Sequence, residues 1–319
     1  MQSEAKKKYK PLDLSKVKTS PISDRETKVD IKNFGKVLKR GASIKDFLNS
    51  LPHILAADDL RAVAKAIAQA KKKGKAVILG IGAHVIKCGL SELIIELMER
   101  EIVSVVALNG AGAIHDFEIA LVGRTSEDVA KGIKSGKFGM VKETGTYMNE
   151  AIKECLNGKQ GIGEALGKKL IELKAPHNKS SILARGAEIG TPVTVFVAIG
   201  TDTIHMHNSM DGKATGEGSF TDFKIFSSAV ADLNDGGVYL NIGSTVILPE
   251  VFLKALNLAR NLKNKVENFT TANFDIIQHY RPRENVVKRP TEDGGKGYTI
   301  TGHHEIMIPL LVQAIIEEV

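Results

Sequence analysis

Short β-branched runs that end in glycine and pass directly into helix-periodic sequence recur along this chain, and few folds accommodate that pattern. Ala76-Val77-Ile78-Leu79-Gly80 precedes a helical stretch from Val85 to Arg100, and Val103 to Leu108 leads into Asn109-Gly110-Ala111-Gly112 and further helical sequence. Strand, tight turn and helix in tandem predict parallel strands joined by crossover helices. Further strands are expected at 194–199, 238–242 and 274–278, with a helix from Pro249 to Lys263 between the last two. Apolar residues between Ile44 and Ala70 repeat at helical spacing as two helices, and Glu305 to Glu318 reads as a closing helix. Thr125 to Lys174 is charged and helical and should pack outside the sheet. The expected fold is a doubly wound, mostly parallel Rossmann-like α/β sheet in a single domain, residues 41–319, preceded by a basic arm, residues 1–40.

The formal charge of +7 belongs to that arm, which holds 12 Lys or Arg against 5 Asp or Glu, so the body is neutral. A run such as Lys6-Lys7-Lys8-Tyr9-Lys10 reads first as a solvated tail, and no nucleic-acid motif accompanies it. Cys88 and Cys155 fit neither a disulfide framework nor a metal-binding spacing, which points to a reducing compartment. No signal-like segment and no run of about 18 apolar residues is present, so the expected location is the cytoplasm, away from membranes.

In a parallel sheet, ligands sit beyond the carboxyl ends of the strands, where glycine lets backbone approach a phosphate. Four turns qualify: Gly80-Ile81-Gly82-Ala83-His84, Asn109-Gly110-Ala111-Gly112-Ala113, Gly200-Thr201-Asp202 and Asn241-Ile242-Gly243-Ser244-Thr245. None is a strict GxGxxG, but together they point to a dinucleotide or phosphate site. His84, His115, His205, His207, His303 and His304 fall in or beside such turns. If His205-Met206-His207 is extended, its two imidazoles share a side, and with Asp116, Asp202 or Glu305 they could bind zinc. Roles as hydrogen-bond partners or proton shuttles for a cofactor and an amine are equally natural. Near the C-terminus, Lys288 or Lys296 could form an imine if burial or a cationic neighbour such as Arg289 activates it, and Gly294 to Gly297 reads as a mobile loop.

From residue 75 onward, the order GIGAHVIKCGL, NGAGAIHD, YLNIGSTVIL, FTTANFDIIQHYRPRENV and GHHEIMIPLLV resembles the deoxyhypusine synthase family. That resemblance implies a homotetramer with shared active sites that uses NAD to oxidise spermidine. It also implies an aminobutyl group held on a lysine as an imine and passed to a protein lysine or a small diamine. By position, NAD would lie along Gly82, Ala83 and His84, along Asn109, Gly110 and Ala111, and near Gly302, His303 and His304. Asp202 and Glu284 match acidic positions near the amine, and His115, Asp116, His205 and His207 line the substrate side. The sequence departs from the family at chemically central positions. Lys254 stands where the family has its catalytic histidine, Lys288 where it has tryptophan, and Pro290 where it has the imine lysine, so Lys288 becomes the preferred nucleophile through a local shift. The expectation is an NAD-dependent alkylamine transferase. Two other readings stay open: a metal-dependent hydrolase or lyase built on the six histidines, and a non-catalytic NAD-binding protein.

Overall fold

Among the described residues, six strands form one sheet: β1 (Val77–Ile81), β2 (Val105–Asn109), β3 (Val193–Phe196), β4 (Val238–Ile242), β5 (Thr270–Asp275) and β6 (Lys296–Thr301). Their order is β3-β2-β1-β4-β5-β6, and every neighbouring pair is parallel. Expected as mostly parallel, the sheet is wholly so. This computed structural model describes residues 9–319, so Lys6, Lys7 and Lys8 of the basic arm lie outside the described residues.

The helices are α1 (Ile44–Ser50), α2 (Leu55–Lys72), α3 (Ala83–Lys87), α4 (Ser91–Glu99), α5 (Gly110–Val122), α6 (Val129–Lys134), α7 (Lys142–Lys153), α8 (Ile162–Glu172), α9 (Ile182–Ile189), α10 (Gly212–Ala231), α11 (Ile247–Asn261), α12 (Tyr280–Pro282) and α13 (His304–Glu318). Alternation along the strands divides the core in two. Val77, Leu79 and Ile81 join Leu60 and Ile67 of α2, Ile94 of α4 and Leu311 of α13 on one face. Ile78 and Tyr239 join Phe226 of α10 and Phe252 of α11 on the other, where the Tyr239 and Phe252 rings stack at 3.8 Å. Burial on both sides explains why the strands read as continuous apolar runs.

Three elements differ from the sequence expectation. The helix expected over 85–100 is broken between α3 and α4 by Gly89, whose φ of +74° a right-handed helix cannot contain. β5 starts four residues before the expected 274–278 strand, with polar side chains that hid it: Thr271 donates to the Val286 carbonyl at 2.8 Å, and Asn273 accepts from Asn241 at 2.7 Å. Gly297, read as part of a loop, is the second residue of β6, where a Cβ would lie 2.0 Å from the Val287 carbonyl oxygen. In the arm, three 3₁₀ turns (Leu14–Lys16, Ile22–Asp24, Ile31–Asn33) contain no buried residue. The arm's end is tied to the body by backbone bonds from Lys36 to Ser50 and from His53 to Asn33. Among the described residues, no helix is long and apolar enough to cross a membrane.

Candidate functional site

The strand order reverses direction between β1 and β4, and sheets of this kind bind ligands beyond the carboxyl ends at that point. The Gly82 N–H donates to the Ile242 carbonyl at 2.8 Å. A Cβ on Gly82 would lie 2.1 Å from the Gly243 carbonyl oxygen, so the two turns meet only because residue 82 is glycine. Gly243 has a φ of +66° and faces the His304 ring, whose Cε1 would lie 2.8 Å from a Cβ there. The His304 Nε2–H donates to the Phe274 carbonyl at 3.2 Å, and its Nδ1 is buried without a partner. His84 and His304 lie edge to face with centroids 5.7 Å apart. The turns after β1, β4 and β6 therefore converge, bringing Gly82, Ala83 and His84 together with Gly302, His303 and His304. This glycine-lined convergence leaves one buried imidazole nitrogen, His304 Nδ1, without a partner.

Beside it, across the start of α5, lies a cleft of about 620 Å³. Its wall includes Ala111, Ile114, His115 and Glu118 from α5, Lys87 at the end of α3, Thr125 and Glu127 before α6, Phe138 and Val141 before α7, Glu143 and Thr144 in α7, and Asp202. Asn109 caps α5 by accepting from the Gly112 N–H at 2.9 Å. A Cβ on Gly110 would lie 2.0 Å from Asp202 Oδ2, so the carboxylate rests on the positive end of the helix. Burial pushes Asp202 up to about 6. His205 accepts from the Gly200 and Asp202 N–H groups through Nδ1, at 3.1 and 3.2 Å, which leaves the proton on Nε2. That nitrogen is 3.9 Å from Asp202 Oδ2, and both atoms are buried with no other partner.

His115 is oriented by a hydroxyl and a carboxylate. Thr125 Oγ1 lies 2.7 Å from His115 Nδ1 and donates to Glu118 at 2.5 Å, while Thr144 donates to the other Glu118 oxygen at 3.1 Å. Burial lowers the pKa of His115, and Lys87 adds to that effect against the pull of Glu118. Glu118 was missed in the sequence, although its spacing of three residues from His115 on one helix was a signal that could have found it. The Thr125 contact had no such signal, because it depends on how the chain turns after α5.

Other expected site residues serve the fold or lie elsewhere. Asp116 is fully buried and accepts from Ser181 Oγ at 2.6 Å and the Ile182 and Leu183 N–H groups at 2.9 and 3.0 Å, so it caps α9 and does not face the cleft. Burial pushes it up to about 6 against those three donors. His205 lies in a 3₁₀ turn (Thr203–Met206), which overturns the extended geometry expected for His205 and His207. His207 bonds the Gly139 carbonyl at 2.8 Å and packs on Gly145. Lys288 ends a π-helical turn (Arg283–Lys288); its side chain is 66% exposed and pairs with Glu284 at 3.9 Å. Glu284 is also 3.6 Å from Arg283. Lys254 is 59% exposed and paired with Glu250. Both lysines are exposed, and neither is brought to the cleft. The six histidines do not gather into one cluster, and among the described residues no group of three or more His, Cys, Asp or Glu side chains could hold a metal.

No protein-family pattern and no curated protein matches the sequence. Solved structures do match. A conserved protein assigned as LOR/SDH from Methanococcus maripaludis S2 has a TM-score of 0.52 at 15% identity, over 83% of this chain and 70% of its own. AgrE, solved as a ternary complex with ornithine and NAD+, gives 0.54 at 13% identity; 81% of this chain matches only 33% of that one. A protein assigned as a deoxyhypusine synthase from Entamoeba histolytica gives 0.50 at 12% identity over 89% of this chain and 96% of its own. At these identities the likeness is one of fold, and it relates this chain to Rossmann-like α/β proteins that include a dinucleotide-bound one.

Proposed function

We propose that this chain is an NAD-dependent enzyme acting on an amine bound in the cleft beside the turns after β1 and β4. The observation that carries the reading is the pairing of a glycine-lined cradle with a neighbouring acidic, apolar-walled cleft at the carboxyl ends of the strands. Gly82, Ala83, His84, Gly302, His303 and His304 would hold the dinucleotide, with Ala111 at the boundary between the two spaces. Bound there, NAD would accept a hydride from the carbon beside the amine nitrogen. Glu118, Glu127, Glu143 and Asp202 give the cleft carboxylates for a cationic ligand, and Ile114, Phe138 and Val141 give it apolar walls. Fold likeness to a protein solved with ornithine and NAD+ supports this reading by analogy. The resemblance to deoxyhypusine synthase extends the proposal to transfer of the oxidised fragment to a small amine or a protein lysine, and to a homotetramer.

Calorimetric titration with NAD, in the presence and absence of spermidine or putrescine, tests this directly. The expected result is NAD binding that an amine strengthens. Absence of NAD binding would sink the proposal. Binding of NAD that amines leave unchanged, with no turnover, would leave a non-catalytic NAD-binding protein.

A further inference from the structure

We propose that His115 is the proton acceptor of the cleft, held by Thr125 and Glu118 in the tautomer whose bare Nε2 takes a proton from the ammonium group of a bound amine. This deepens the reading above and rests on it for the identity of the ligand. The tautomer follows from counting hydrogens. Glu118 accepts from two hydroxyls, Thr125 at 2.5 Å and Thr144 at 3.1 Å. Thr125 has one hydroxyl hydrogen and gives it to Glu118, so at 2.7 Å from His115 Nδ1 its oxygen accepts. Nδ1 must then carry the proton, and Nε2 of the neutral ring keeps its lone pair. His115 is part of the cleft wall, so this lone pair belongs to a ring that a ligand can meet.

In the transfer, an ammonium N–H bond breaks and an Nε2–H bond forms. The positive charge passes from the amine to the imidazolium, which Glu118 stabilises through the Thr125 hydroxyl. No oxidant is consumed. The charged groups that line the cleft with His115 are Lys87 from α3, Glu118 from its own helix, Arg124 and Glu127 from the segment before α6, Glu143 from α7 and Asp202 from the segment after β3. Burial and Lys87 favour the neutral ring when no ligand is present. His115 is thus the catalytic residue, and Thr125 and Glu118 are positioning residues.

The test combines nitrogen NMR of the full-length, ¹⁵N-labelled chain with turnover. His115→Gln identifies the His115 signals. They are expected to show Nδ1 protonated and Nε2 bare at neutral pH, and Thr125→Val should shift the ring toward the Nε2–H form while Thr125→Ser restores the original state. With NAD and an amine that turns over, His115→Gln should lower kcat by about a hundredfold to ten-thousandfold, and Thr125→Val should displace the acidic limb of the kcat pH profile. An Nε2–H tautomer in the parent protein overturns the proposal, as does turnover in His115→Gln with an unchanged pH profile. If calorimetry shows neither NAD nor amine binding, the functional reading and the amine's role both fall, and the tautomer signal separates that result from a failure of the relay.

Discussion

Asp116 and Asp202 show how one side-chain chemistry divides between a satisfied helix cap and an unpartnered carboxylate in a cleft wall. Both are buried and both are pushed up to about 6. Asp116 is saturated with donors, so Asp116→Ala would strand the Ser181 hydroxyl and two N–H groups and should cost about 3 kcal/mol of stability in denaturant unfolding. Asp202 leaves Oδ2 without a hydrogen bond. Because its value in the folded chain exceeds that of the unfolded chain, its contribution to stability is present below about pH 4 and is lost as pH rises through about 6. Asp202→Asn should therefore be more stable than the parent at pH 7.5 by on the order of 2 kcal/mol and equal to it at pH 4. An equal loss at both pH values would show that the carboxylate holds the loop together. The sequence offered both residues as ligand carboxylates, since a helix cap 65 residues away is invisible in local spacing.

At the level of elements, strand ends with β-branched residues and glycine were readable, whereas polar strands were not. β5 escaped because Thr271 and Asn273 bond to groups from distant segments, and β6 because Gly297 reads as a loop residue until Val287 is placed against it. The value of a glycine likewise depends on what its missing Cβ would meet. Gly82→Ala would force the β1 and β4 turns apart against backbone, so it should cost about 1 to 3 kcal/mol and weaken NAD binding at least tenfold. Gly216→Ala is the matched control. It lies on the exposed face of α10 with nothing within 4 Å of a Cβ, so it should add about 0.5 to 1 kcal/mol through helix propensity and leave NAD affinity unchanged. Thermal unfolding and calorimetry on the two variants check both statements, and equal losses of NAD affinity would mean the β1–β4 cradle is not the cofactor site.

On the scale of the whole molecule, the direction of the strands decides which lysine can reach a substrate. The parallel sheet gathers its turns, and with them the cradle and the cleft, at the carboxyl ends. The segment after β5 instead descends along the sheet, and Val286 and Val287 meet Thr271 and Gly297, each the second residue of its strand. Lys288 therefore sits at the level of the strand starts, away from the cleft. Lys254, paired with Glu250, is part of the outer helix α11. Lys87 is the lysine of the cleft wall. Matching motifs by their order placed a nucleophile at 288 because order carries no information about height along a strand. If the amine chemistry passes through a lysine imine, borohydride reduction with NAD and substrate should leave its mass adduct on Lys87, and Lys87→Ala should abolish it while Lys288→Ala and Lys254→Ala retain it. An adduct on Lys288 would mean that the segment from 280 to 291 reaches the site from another copy of the chain, because within one sheet a residue beside the strand starts cannot meet a ligand bound beyond the strand ends.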